Sequence, residues 1–221
     1  MKASIFYIIL FSSITITGCS NDDDTSTTTP EPEVVIDPVV EKTSIPDPVF
    51  EAYLISRNLD DTIDGEVVTS NLLNVTEIIV DDLEISDLTG IQDCPNLYNL
   101  WLQNCNVASI DVSQNPLLQF FYADNNNLSS LDVSDLPLLE KLSFRNNTMQ
   151  TIDVTANSDL QLLEINGNNL QSINVSQNPQ LLRFDIRDNP LTCVQASEDQ
   201  IANDNLIWFL DDEDIIAVNC N

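Results

Sequence analysis

The sequence predicts an α/β solenoid. Short parallel β-strands line one side of a stack of coils, and the return side is mostly irregular. A helical cap closes the N-terminal end and a disulfide closes the C-terminal one. Three observations lead there. From Leu97 onward the chain repeats every 21 residues in unbroken register. Inside each repeat, apolar positions alternate at a spacing of two, the period of a half-buried strand. Hydrophobic residues make up 43% of the chain, enough to bury a substantial core and to exclude wholesale disorder.

Taken in chain order, the first element is an address. Lys2 gives a positive start, "IFYIILFSSITIT" is an apolar run too short to span a bilayer as a mature helix, and small residues follow. The run ends "ITGCS", which resembles the lipobox of bacterial lipoproteins and makes Cys19 the lipidated residue. "SNDDD" (Ser20 to Asp24) resembles the acidic tag of surface-exported lipoproteins of the Bacteroidota. This resemblance implies a signal peptide over 1–18 and a chain anchored on the extracellular face of the outer membrane without spanning it. Residues 19–43 are then a lipidated tether, its Thr, Pro and acidic composition favouring extended chain.

A cap is expected over 44–74. "IPDPVFEAYLISRNLD" places Val49, Phe50, Tyr53 and Leu54 at helical spacing, with Asp47 ahead of Pro48 at the first turn. "DDTIDGEV" (Asp60 to Val67) has a spacing reminiscent of a calcium loop. Its twelfth place is Asn71, where an EF-hand needs a bidentate Glu, and a simple turn accounts for the Asp and Gly residues as well.

Residues 75–192 carry the repeats. Segments beginning at Leu97, Leu118, Leu139, Leu160 and Leu181 read "LYNLWLQNCNVASIDVSQNPL", "LQFFYADNNNLSSLDVSDLPL", "LEKLSFRNNTMQTIDVTANSD", "LQLLEINGNNLQSINVSQNPQ" and "LLRFDIRDNPLTC". Apolar residues hold the first, fourth, sixth, eleventh, fourteenth and sixteenth places. The ninth place holds Cys105, Asn126, Asn147, Asn168 and Asn189. The pattern is similar to the leucine-rich repeat, L-x-x-L-x-L-x-x-(N/C)-x-L. A weaker copy from Val75 has one extra residue. The alternation points the fourth and sixth places inward, and stacking successive coils pairs their strands in parallel. The ninth-place asparagine is expected to bond backbone groups that the turn leaves unpaired, with Cys105 standing in as a small buried residue. Ser113, Ser134, Thr155 and Ser176 form a second column, expected to close turns by hydroxyl-to-backbone bonds.

The final stretch, 193–221, should be the second cap, closed by a Cys193–Cys220 disulfide as suits an exported protein. Cys94 and Cys105 fall on opposite sides of a coil and are expected to stay reduced. Asp211 to Asp214 read as a solvated edge rather than a metal site.

Function is sought on the outward strand places. Trp101, Phe120 and Tyr122 should form an exposed aromatic patch on neighbouring strands, and Lys141, Arg145, Arg183 and Arg187 a cationic strip beyond it. These seven residues are the expected ligand-binding set, since exposed aromatics and arginines dominate recognition surfaces. The competing expectation is that the basic residues pair across strands with Glu140, Glu164 and Asp185. With 7 basic and 36 acidic side chains the formal charge is −29, which argues against nucleic acid. There is no histidine, and no nucleophile-and-base pair, phosphate loop or metal cluster, so the expectation is a non-enzyme without cofactor.

Over 44–221 the chain resembles the internalin-like leucine-rich-repeat surface lipoproteins of the Bacteroidota. The resemblance implies recognition of an extracellular protein through the concave sheet face, in adhesion or contact with a host or another cell. Two alternatives stand beside it: a glycan-capture lipoprotein using the aromatic patch, and a structural surface protein that self-associates. Departures from the pattern are the irregular first coil, the missing proline in the return half of the third, and the short array.

Overall fold

A computed structural model describes residues 40–220. The expected signal peptide, Cys19 and the expected tether up to residue 39 lie outside the described residues. The chain is a parallel-strand leucine-rich-repeat solenoid, as its period predicts.

One seven-stranded parallel sheet runs its length. In chain order it takes β3 (Glu77–Ile79), β4 (Asn99–Trp101), β5 (Phe120–Tyr122), β6 (Lys141–Ser143), β7 (Leu162–Glu164), β9 (Arg183–Asp185) and β11 (Ile207–Phe209). Each strand has only three residues, which suffices because the middle residue alone must face inward. Ile78, Leu100, Phe121, Leu142, Leu163 and Phe184 are fully buried, stacked one coil above the next. Phe121 and Phe144 meet edge to face with centroids 5.0 Å apart, the arrangement their ring quadrupoles favour.

Three polar columns hold the turns. At the eighth place the backbone is left-handed in the first six coils: Asp82, Asn104, Asn125, Asn146 and Asp188 have φ between 53° and 59°, and Gly167 has φ 69°. Only Asn, Asp and Gly tolerate that geometry cheaply, which explains why the eighth place holds nothing else. At the ninth place, Asn126, Asn147, Asn168 and Asn189 turn inward and are nearly buried. Each donates to the carbonyl of the residue 24 before it, respectively Leu102, Ala123, Phe144 and Ile165. Each also accepts the N–H of Val107, Leu128, Met149 or Leu170. A third column, unforeseen in the sequence, comprises Asn115, Asn157 and Asn178 and ends at Gln200. All bridge carbonyls of the preceding coil from within the core.

Two expectations about these columns need correction. Cys105 is half-buried rather than buried; its Sγ donates to the Val80 carbonyl across 3.1 Å, a weaker version of the asparagine bond. Ser134 and Thr155 do not close their turns onto backbone. Their hydroxyls and N–H groups donate to the side chains of Asp132 and Asp153. A carboxylate two residues upstream accepts both donors at once, which a lone carbonyl would do less well. These bonds hold the Asp132 and Asp153 carboxyls below the usual range. Cys94 and Cys105 are both free thiols. Burial, reinforced by Asp93, pushes Cys94 up to about 12 and so suppresses thiolate chemistry there.

The return side is irregular until the last coils. There β8 (Ser172–Asn174), β10 (Cys193–Gln195) and β12 (Ile216–Ala217) form a second, three-stranded parallel sheet. The Cys193–Cys220 disulfide ties its last strand to the coil before. A capping-box helix, α3 (Glu198–Ile201), lies between.

The N-terminal cap holds helix α1 (Pro48–Ser56), with Pro48 at its first turn as the sequence implies, and the short α2 (Thr69–Leu72). Strands β1 (Lys42–Ser44) and β2 (Glu66–Val68) pair antiparallel, so chain assigned to the tether at 42–43 already belongs to the cap. The "DDTIDGEV" stretch is a turn: the buried Glu51 carboxylate accepts the N–H groups of Asp64 and Gly65. Asp47 is the clamp between cap and solenoid. One carboxylate oxygen accepts from Val49 and Phe50 at the start of α1, and the other from Ser86 and Asp87 in the first coil. Burial alone would raise this carboxyl, but the four N–H donors outweigh it and hold it below its ordinary value.

The sign of the pH effect follows. A depressed carboxyl contributes stability that is present above its unfolded value, about 3.9, and is lost as pH falls through the folded value. Acid melting should therefore open the N-terminal cap first. An Asp47→Ala protein should lose about 2 kcal/mol at neutral pH and flatten the acid limb, read by denaturant titration from pH 7 to 3. An unchanged acid limb would remove Asp47 from that role.

Candidate ligand-binding face

The outward strand places divide the sheet face into an aromatic half and a charged half. In the early coils, β4 sets Trp101 beside Tyr122 of β5, with ring centroids 4.4 Å apart and planes tilted by 44°. Phe120, two residues before Tyr122, meets Tyr98 edge on at 6.5 Å. All three predicted aromatics are half-buried, packed on each other yet open to solvent on one face. A polar chain runs along this edge: the Trp101 indole N–H donates to Asn99 Oδ1, and Asn99 Nδ2 donates to Glu77. Burial first, then the carboxylates of Glu164 and Asp124, push the Tyr122 hydroxyl up, which keeps it protonated and able to donate. Beside Tyr98 lies a cleft of about 300 Å³, lined by Arg57, Asn71, Asn74, Thr76 and Glu77.

The charged half differs from a cationic strip. Arg145 reaches Asp124 at 2.6 Å and Glu164 at 3.6 Å. Arg183 pairs with Glu164 at 2.6 Å, and Arg187 with Asp185 at 2.7 Å. Asp124, Glu164 and Asp185 are almost fully buried beneath the guanidinium groups, which remain nearly half exposed. A buried carboxylate must be paired or hydrogen-bonded, and Asp124 also accepts the Ser143 hydroxyl and the Arg145 N–H. Three guanidinium groups over three carboxylates leave no net positive field. Glu140, expected as a partner, makes no ion pair among the described residues. Lys141 instead sets its Nζ 5.2 Å over the Phe120 ring and so joins the aromatic half.

Two members of the face escaped the sequence pattern. Tyr98 sits at the second place, where no column marks it. Phe209 lies on β11, opposite Asp185, and its ring receives Arg183 and Arg187 at 5.2 and 5.0 Å. The 21-residue spacing hides it, because the last coil carries a three-residue insertion relative to its neighbours. The "IWF" alternation was the only available sign.

Neither a scan of protein-family models nor a search of curated proteins found a match to this sequence. Solved structures do match. The functional domain of InlJ from Listeria monocytogenes, which includes a cysteine ladder, superposes with a TM-score of 0.61 at 26% identity. That match covers 71% of this chain and 38% of the InlJ domain, so the chain spans well under half of that neighbour. A leucine-rich-repeat protein of Leptospira interrogans gives 0.52 at 17% identity, over 66% of this chain and 51% of that one. The LRIM1/APL1C complex gives 0.57 at 23% identity, over 68% of this chain and 30% of that one. The likeness to these proteins is one of fold. Among the described residues no helix is long and apolar enough to cross a membrane.

Proposed function

We propose that this chain is an extracellular, non-enzymatic binding module, lipid-anchored through Cys19 at the outer membrane, which takes a protein partner on its sheet face. The observation that carries the reading is the pair of aromatic contacts, Trp101 on Tyr122 and Tyr98 on Phe120, held half-open on rigid neighbouring strands. Rigid aromatic anchors beside a cleft are what protein interfaces use as hot spots. The arginine ladder next to them supplies planar donors already oriented by buried carboxylates, so little ordering entropy is lost on binding. A leucine-rich-repeat neighbour determined as a complex, LRIM1/APL1C, supports the same kind of use.

A glycan platform fits the geometry less well. The tilt between Trp101 and Tyr122 breaks any flat stacking surface, and the Trp101 N–H is already spent on Asn99. The test is a side-by-side screen of the chain against arrayed extracellular proteins and glycans. The Trp101→Ala/Tyr122→Ala variant should keep its melting temperature and bind its protein partner about 100-fold more weakly. Saturable glycan binding that the variant loses, or protein binding it retains, would overturn the reading.

A further inference from the structure

The two ends of the solenoid are finished differently. At the N-terminal end the Tyr53 hydroxyl accepts the free N–H of Ile79 on β3, and α1 covers the core with Phe50 and Leu54. At the C-terminal end both hydrogen-bond ladders stop in the open. Along the main sheet, each sixth-place N–H donates to the next strand: Val80 to Trp101, Leu102 to Tyr122, and so on to Ile186 to Phe209. Leu210 is the next residue in that series, and among the described residues no further strand receives it. On the return side Val175 donates to Gln195 and Ala196 to Ala217, and the series again ends, at Val218.

Around these two edges the surface is apolar. Ile201, Ile207, Ile215, Ile216 and Val218 are each between 38% and 59% exposed. Between the edges a cavity of about 170 Å³ opens among Ile201, Leu206, Trp208 and Ile216. The Trp208 indole N–H, on the cavity wall, is buried and has no hydrogen-bond partner. A solenoid end normally needs a polar cover, and a bare strand edge is a template for pairing. This end has an unused ladder, an apolar cavity and an orphaned donor together.

Charge decides the occupant. No lysine or arginine follows Arg187, while Asp204 precedes β11 and the run Asp211 to Asp214 follows it in the chain. A second copy brought tail to tail would set these carboxylates against each other on chains that each carry −29. Head-to-tail stacking is blocked by the N-terminal cap. We infer that the C-terminal end is a strand-accepting edge for an extended segment of a partner protein, with one small apolar side chain entering the Trp208 cavity and basic residues on both flanks. Backbone bonds at Leu210 supply the affinity, the cavity selects the central side chain, and the carboxylates on either side of β11 select the flanks.

The test uses the full chain and the peptide acetyl-KKVTVTVKK-amide at millimolar concentration, read by amide hydrogen exchange. The expected result is about tenfold slower exchange at Leu210 and beyond, lost in 0.5 M salt. Ile216→Glu, a change at an exposed residue, should abolish the protection while leaving the rest of the exchange map intact. The charge-reversed peptide EEVTVTVEE should have no effect. The inference is overturned by absent protection, by equal protection from KKVTPTVKK, or by sedimentation showing that a second copy covers the edge without peptide. Because Trp101 and Tyr122 lie at the other end of the sheet, their double variant should respond to the peptide like the parent. A failure of the sheet-face reading is therefore separable from a failure here.

Discussion

Asn147→Ala should cost about 4 kcal/mol of folding free energy, the largest effect of any single polar substitution in this chain. The side chain donates to the carbonyls of Ala123, Phe144 and Arg145 and accepts the N–H of Leu128, all within the turn between coils. Removing it leaves the Leu128 N–H buried without a partner, at about 1–3 kcal/mol. It also takes one of two donors from each carbonyl, since Ala123 keeps Asn126, Phe144 keeps Asn168 and Arg145 keeps the Asn125 N–H; each lost bond adds about 0.5–1.5 kcal/mol. Asn147→Asp is the informative control. It keeps the shape but turns the donating amide into a second acceptor facing carbonyls, so it should be no better than alanine. The position is central, and in a stack where each coil touches only its neighbours the flanking coils are too few to stand alone. Unfolding should therefore stay a single transition, with the midpoint of thermal denaturation shifted down by about 8–16 °C. A loss under 1 kcal/mol in a denaturant titration would show that the asparagine column is ornament on a solenoid held by its leucines.

Opening the Cys193–Cys220 bond comes second. The bridge spans 27 residues, and loop-closure entropy at that length corresponds to about 3.5 kcal/mol. The loss should be local before it is global. With the bond replaced by serines, β12 keeps only its short pairing with β10, so amides from Val194 to Ala217 should exchange fastest while the strands from β3 to β7 keep their protection. Uniform acceleration along the whole rod would mean that the terminal coil nucleates the stack rather than closing it. The same variant should lose the peptide response at Leu210, because the cavity beside Trp208 has one wall on β12.

The core was readable because its causes are local and periodic. The spacing of Leu97, Leu118, Leu139, Leu160 and Leu181 sets one coil over the next. From that, the inward fourth and sixth places and the outward Trp101, Phe120 and Tyr122 follow by alternation alone. The N-terminal helix was equally plain, since Asp47 and Pro48 are a start signal whatever surrounds them. The eighth-place Asn, Asp and Gly column was visible in the letters but was absorbed into the turn. Its left-handed backbone becomes evident only when the same φ recurs in six coils.

The charge balance of the sheet face was not readable. Arg145, Arg183 and Arg187 occupy one face by sequence position, but whether they meet solvent or carboxylate depends on the depth of Asp124, Glu164 and Asp185. Those three share the outward side of the strands with the aromatics, yet long arginine stems fold over them and remove them from water. Phe209 and the open edge at Leu210 were hidden for another reason. The last coil leaves the 21-residue period, and beyond it only the folded chain shows which strand comes next.

Sequence alone thus determined the rod, its inward face and the identity of the residues that look outward, because period and alternation are properties of consecutive positions. Tertiary structure alone decided which of those outward residues remain available and which strand edge stays unpaired among the described residues. Both depend on what a neighbouring coil places within a few ångströms, and no spacing along one chain encodes the absence of a neighbour.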